Sequence, residues 1–132
     1  MSRPVTAAAF CVAVVDDEAS VRAMLERVLR HGDYEVCAFA SGEEFLASLA
    51  RRVPCCVVLD VHMPGLNGFE VESRLRAAHC DVPVVFITAS DDPSLDRPAR
   101  EADRALLRKP FSSLQLLAAI DAALQAPKRA PA

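Results

Sequence analysis

No run of apolar residues in this chain is long enough to cross a bilayer as a helix. Basic residues do not predominate: fifteen Lys and Arg are scattered among eighteen Asp and Glu. Nothing therefore points to a surface built for nucleic acid, and the Lys128-Arg129 pair is too short to change that. Tryptophan is absent, so ligand binding cannot be followed by its quenching. There is no C-x-x-C spacing, and the five cysteines are odd in number. Cys11, Cys37, Cys55 and Cys56 fall in predicted strands and read as small core hydrophobes of a reducing compartment. Cys80, in a turn before Asp81, is the one expected to be exposed. A cleavable leader is also missing from this reading. The apolar stretch 7–15 follows Arg3 but runs straight into Asp16-Asp17-Glu18 without a small-residue cleavage site, and its removal would delete a strand. The expected location is the cytoplasm, with no membrane contact.

What is present is the make-up of a single globular domain. Its 132 residues are 52% hydrophobic and 25% charged, enough to bury about two thirds of the unfolded surface. Short apolar runs at Val12–Val15, Cys55–Leu59, Val82–Ile87 and Ala105–Leu107 each stop at a polar residue: Asp16-Asp17, Asp60, Thr88 and Lys109. Helical patterns lie between them. Val21, Met24, Leu25, Val28 and Leu29 make one stripe over about 19–31, ended by Gly32-Asp33. Ser41-Gly42-Glu43-Glu44 is a capping box opening a helix to about Ala50, after a second strand from Tyr34 to Phe39 near an edge. Pro64-Gly65 and Asn67-Gly68 are turn chemistry before a helix with Phe69 and Leu75 inward. Ser112-Ser113-Leu114-Gln115 starts the last helix, with Leu117, Ile120 and Leu124 predicted on its buried face. The segment Ala89 to Asp103 has five acidic residues, Pro93, Pro98 and only Leu95 as a large apolar anchor, so its helix is predicted to be short or bent. The pattern is α/β: a doubly wound parallel sheet with helices on both faces. The expected organisation is a lead-in over 1–9, a domain over 10–125 and an Ala/Pro linker or tail over 126–132.

Ligands of such sheets bind beyond the carboxyl ends of the strands, where the strand order reverses. Three carboxylates, a hydroxyl and an ammonium are thereby predicted to share one crevice. Asp60 at a strand end can act as a nucleophile toward a phosphoryl donor, or merely cap a turn. Asp16 and Asp17 crowd negative charge beside it. Like charges about 4 Å apart repel by roughly 4 kcal/mol at an effective dielectric near 20, so a neutralising partner is required. Mg²⁺ suits that need, being a hard cation that takes one or two carboxylates and phosphate oxygens. Thr88 can donate its hydroxyl to a phosphoryl oxygen. Lys109, before Pro110 in a bond that permits cis geometry, can present its ammonium as a point charge.

These residues resemble the receiver domain of two-component response regulators over about residues 10–125. The marks are Val14-Val15-Asp16-Asp17-Glu18, Leu59-Asp60-Val61-His62-Met63-Pro64-Gly65-Leu66-Asn67-Gly68, Ile87-Thr88-Ala89 and Lys109-Pro110-Phe111. Ala40-Ser41-Gly42-Glu43-Glu44-Phe45-Leu46, with Pro54-Cys55-Cys56, looks closest to the branch typified by the nitrogen-fixation regulator FixJ. The resemblance implies a flavodoxin-like sheet of five parallel strands in the order 2-1-3-4-5. It implies Asp60 as phosphoacceptor from a sensor histidine kinase. Asp17, Asp60 and the backbone carbonyl of His62 would bind Mg²⁺ directly and Asp16 through water, with Thr88 as switch hydroxyl and Lys109 as phosphate clamp. An output domain or protein partner would read the face around residues 92–125, and a homodimer is left open. Two positions depart from the family. Leu106 stands where an aromatic residue is usual, so the switch pair here is Thr88 and Leu106. Glu101-Ala102 stands where Gly-Ala is usual. Two other readings compete. One is a degenerate receiver acting as a docking module without phosphorylation. The other is a Mg²⁺-dependent phosphatase working through an aspartyl phosphate, which would carry a second Asp where this chain has His62 and would have a cap domain.

Overall fold

Alternation along the apolar runs sorts their side chains onto two faces of one sheet. The computed structural model describes residues 11–125; the expectations for 1–9 and 126–132 lie outside the described residues. The elements alternate in chain order: β1 (Cys11–Val15), α1 (Ala19–His31), β2 (Glu35–Phe39), α2 (Gly42–Ser48), β3 (Cys56–Asp60), α3 (Gly68–Ala77), β4 (Val84–Thr88), α4 (Asp96–Glu101), β5 (Ala105–Arg108) and α5 (Ser113–Gln125). All pairings are parallel, in the order β2-β1-β3-β4-β5. The expected doubly wound sheet is present. Among the described residues, no helix is long and apolar enough to cross a membrane.

One face carries Ala13, Val15, Val57, Leu59, Val84 and Phe86 beneath α2, α3 and α4. The other carries Val12, Val14, Cys56, Val58, Val85 and Ile87 beneath α1 and α5. The central strands β1, β3 and β4 are buried throughout, which is why they read as continuous apolar runs. Edge strand β2 has half-buried Val36, Cys37 and Phe39 with exposed Glu35 and Ala38, rather than the strict alternation expected, and starts one residue later than expected, at Glu35. On α3, Phe69 meets Phe86 edge to face with ring centroids 4.7 Å apart.

The capping box expected at Ser41 is half present, and a full one stands at Asn67, which was expected only as turn chemistry. The Ser41 hydroxyl accepts from the Glu44 N–H at 3.1 Å, although α2 stops at Ser48 rather than Ala50. The Asn67 side chain accepts from Glu70 N–H at 2.8 Å, and Glu70 reciprocates to the Asn67 N–H at 2.8 Å. Replacing Asn67 by Ala removes both the acceptor and the geometry of its partner. The expected cost is about 1 kcal/mol, read as a lower denaturation midpoint with an unchanged slope.

Two expectations need correction. The buried residues of α5 are Leu116 and Ile120, not Leu117 and Leu124. Leu117 belongs to the neighbouring stripe and lies over Gly32 at the end of α1, while Leu124 is 36% exposed. Cys80 is half-buried rather than exposed, and burial raises its thiol pKa. The segment after β4 is short, as expected. A 3₁₀ turn over Pro93–Leu95 precedes the six-residue α4, with Pro98 in its first turn. There the missing N–H costs nothing, since first-turn amides have no intrahelical acceptor. Leu95 is joined as an anchor by buried Ala99 and Ala102.

Candidate functional site

Asp60 closes β3, and Asp16-Asp17 follow β1, its neighbour in the sheet. Strand pairing alone therefore sets these carboxylates side by side at the carboxyl end. One oxygen from each of Asp16, Asp17 and Asp60 lies within 4.8 Å of the others. Asp16 and Asp60 are buried, and Asp17 is exposed. Asp16 accepts a hydrogen bond from the Glu18 N–H at 2.9 Å, and Glu18 rather than a side chain of the pair occupies the start of α1. The Arg22 guanidinium donates to the Asp16 carbonyl at 2.7 Å, fixing the turn between β1 and α1.

Lys109 directly follows β5, its bond to Pro110 is cis, and its side chain turns inward. Its ammonium lies 3.3 Å from Asp16 Oδ2, with the lysine side chain 18% exposed and that of Asp16 fully covered. Among the described residues, no ammonium or guanidinium makes such an ion pair with the Asp60 carboxyl. Burial first, and then the charge of Asp16, push its pKa up to about 7, while Lys109 and the backbone N–H of His62 pull the other way. Such a carboxylate has a standing need for a cation. The imidazole of His62 is itself exposed.

The loop after Asp60 is shaped by two glycines. Gly65 has φ +76, the left-handed region that a Cβ disfavours. At Gly68 a Cβ would stand 2.6 Å from the carbonyl oxygen of Asp60, so α3 starts directly against the strand end only because no side chain intervenes.

Thr88 closes β4 with no exposed surface, and its hydroxyl accepts from the Ser90 N–H at 3.1 Å. Arg108 was not singled out in the sequence. Its guanidinium donates to the Ser90 carbonyl at 3.2 Å, the Asp92 carbonyl at 2.8 Å and Asp96 Oδ1 at 2.9 Å. It ties the acidic segment after β4 to β5. The available sequence signal was parity: Arg108 is two residues from Leu106, which packs against the core face that includes α4. Glu72 is a second omission. It is buried on α3 and bridges Arg76 at 2.9 Å and Arg104 at 3.4 Å.

Residues 12–121 match the family of response regulator receiver domains. The chain belongs to that family. Curated relatives agree. It is 37% identical over 115 residues to nodulation protein W of Bradyrhizobium diazoefficiens, covering 86% of this chain and 51% of that protein. It is 40% identical over 116 residues to the transcriptional regulatory protein PrrA of Mycobacterium tuberculosis, covering 86% and 49%. This receiver domain thus spans about half the length of the curated relatives it matches. Among solved structures, a receiver protein from Burkholderia phymatum superposes with TM-score 0.78 at 43% identity, covering 89% of this chain and 97% of that one. The FixJ-N crystal structure gives TM-score 0.82 at 28% identity, with 89% and 95% covered. Receiver domains are signalling modules rather than enzymes in general, and they bind Mg²⁺ at an acidic cluster of this kind. The phosphatase reading falls away with that membership.

Proposed function

We propose that this receiver domain is a phosphorylation-controlled switch whose acceptor is Asp60. The observation that carries the reading is the convergence of Asp16, Asp17 and Asp60 within 4.8 Å, with the Lys109 ammonium 3.3 Å from Asp16. Oxygen donors only, two of them buried, suit a hard divalent cation. Asp17, Asp60 and the His62 backbone carbonyl would hold Mg²⁺, with Asp16 acting through water. When bound, the ion supplies positive charge for the oxygens of the transferring phosphoryl group.

In the transfer, an Asp60 carboxylate oxygen forms the bond to phosphorus as the bond to the kinase histidine nitrogen breaks. The product carries about −1.5 to −2 charge at the end of β3. Lys109 is then drawn from Asp16 toward the phosphoryl oxygens, and the Thr88 hydroxyl turns to donate to one of them. That turn deprives the Ser90 N–H of its present acceptor. The segment that Arg108 ties to β5 then has two arrangements to choose between, and Leu106 fills the space beside Thr88 without offering a ring. An output domain or partner reads the face formed by residues 92–125. In a longer regulator, as in the relatives whose names are those of transcriptional regulators, DNA contact would belong to a separate domain. The setting is the cytoplasm beside a sensor histidine kinase, and a second copy of the chain is the candidate self-partner.

A docking module that never takes phosphate is the second reading, favoured by Leu106, since Pro98 is accommodated in the first turn of α4. One experiment separates the two. Incubation with acetyl phosphate and Mg²⁺ should add one phosphoryl group by intact mass, lost with EDTA and in Asp60→Asn. An unmodified wild-type mass under those conditions favours docking.

A further inference from the structure

On the α2 side of the sheet, far from the acidic cluster, two thiols meet. Cys11 opens β1 and Cys37 sits in β2 opposite Ala13, so the pair is diagonal across the strand pairing. Their sulfurs are 3.1 Å apart, closer than two thiols in ordinary van der Waals contact. Both line a cavity of about 340 Å³ shared with Phe39, Phe45, Ser48 and Arg52. The cavity exists because α2 ends at Ser48 and leaves the amino-terminal half of β1 and β2 uncovered by helix. Cys37 is half-buried and reachable, and Cys11 is 1% exposed behind it. Arg52, held by Glu35 at 3.1 Å, supplies positive charge at the mouth. The reading of these cysteines as inert core residues does not account for such an arrangement.

We propose that Cys11 and Cys37 form an oxidisable dithiol site, closed to an intrachain disulfide by hydrogen peroxide. The Cys37 thiolate attacks one peroxide oxygen. The O–O bond breaks, an S–O bond forms and the departing hydroxide leaves as water once protonated. Cys11 sulfur then attacks Cys37 Sγ. The S–S bond forms, the S–O bond breaks, and the leaving hydroxide takes the Cys11 proton to give a second water. Two thiols are oxidised by two electrons and one peroxide is reduced. Closure from the present contact to a disulfide's ~2.05 Å needs the sulfurs to approach by about one ångström, and it also needs a backbone shift, because diagonal positions across a strand pairing stand about 7–8 Å apart at Cα and a disulfide spans less than about 7 Å. β2 can supply it, since as an edge strand it is bonded to β1 alone. Cys37, half-buried at the cavity, is the sulfur that peroxide reaches first, while Cys11 lies behind it with its thiol pKa pushed up to about 12 by burial and by its hydrogen bond with Cys37.

The site is independent of the phosphoacceptor. Cys11 and Asp16 lie at opposite ends of β1, separated by about 15 Å of strand. The expected consequence of closure is a clip between β1 and its edge partner that raises resistance to unfolding.

The reduced 132-residue chain, treated with equimolar hydrogen peroxide and then alkylated under denaturing conditions, tests this. The expected result is a loss of two hydrogens, a peptide map linking Cys11 to Cys37, and a rise in Tm of several degrees, all reversed by dithiothreitol. Cys37→Ser should lose the link and the Tm rise. Cys11→Ser should instead accumulate oxygen on Cys37. The proposal is overturned if Cys11 remains alkylatable after oxidation, if the link maps to Cys55, Cys56 or Cys80 or joins two chains, or if linking is faster in urea than in the native protein. The wild-type map decides the matter even if neither variant folds.

Discussion

Asp60→Asn is expected to stabilise the protein at pH 8 by on the order of 2 kcal/mol in the presence of a chelator, and to change little at pH 4. The folded carboxyl titrates near 7 against an ordinary 3.8. Below about pH 4 it is protonated in both folded and unfolded chains and contributes nothing. As pH rises, the unfolded chain ionises first, which favours unfolding. The penalty grows until Asp60 itself ionises near pH 7 and is constant above. Asparagine has no such titration, so it removes a destabilisation that exists only at the higher pH. A shift of three units corresponds to about 4 kcal/mol at most, and water entering the cluster on ionisation reduces it. Urea denaturation of both proteins at the two pH values checks the sign. Equal midpoints at pH 8 would mean that Asp60 is solvated rather than crowded.

Lys109→Met is expected to cost about 3 kcal/mol at pH 8 in chelator and to regain most of that loss in millimolar Mg²⁺. Methionine keeps the apolar stem of the lysine but removes the charge. Asp16 is then fully covered and unpaired, with Asp60 beside it, and stranding one member of a buried pair is far costlier than the pair is worth. A divalent cation restores positive charge to the same place and binds the folded state selectively, so it stabilises by mass action. The check is a denaturation midpoint for wild type and variant, each with and without Mg²⁺. The ion should stabilise the variant more than the wild type. Equal gains in the two would separate Lys109 from the cluster electrostatically.

Much of the fold was legible because three of the five strands are buried on both faces. Full burial turns β1, β3 and β4 into unbroken apolar runs with hard polar stops, and those stops are the site. Asp16, Asp60 and Thr88 could therefore be assembled from their places at strand ends before any distance was known, and Lys109 was added from its place after the half-buried β5. What escaped detection depended on rotation and register. Leu116 and Leu117 are adjacent in sequence, and only the packing of α5 on the sheet decides which is buried. Arg108 was passed over, because nothing local shows that the acidic segment folds back onto it. The Cys11–Cys37 contact arises from the pairing of β1 with β2, two segments 26 residues apart whose register no local pattern states.

The most direct measurement is a Mg²⁺ titration of the isotopically labelled domain, followed by amide resonances. Saturable shifts centred on Asp16, Asp17 and residues 60–62 are expected, weakened by about tenfold or more in Asp17→Ala. Shifts that never saturate, or that centre on the acidic segment 91–103, would contradict a cation site at the ends of β1 and β3.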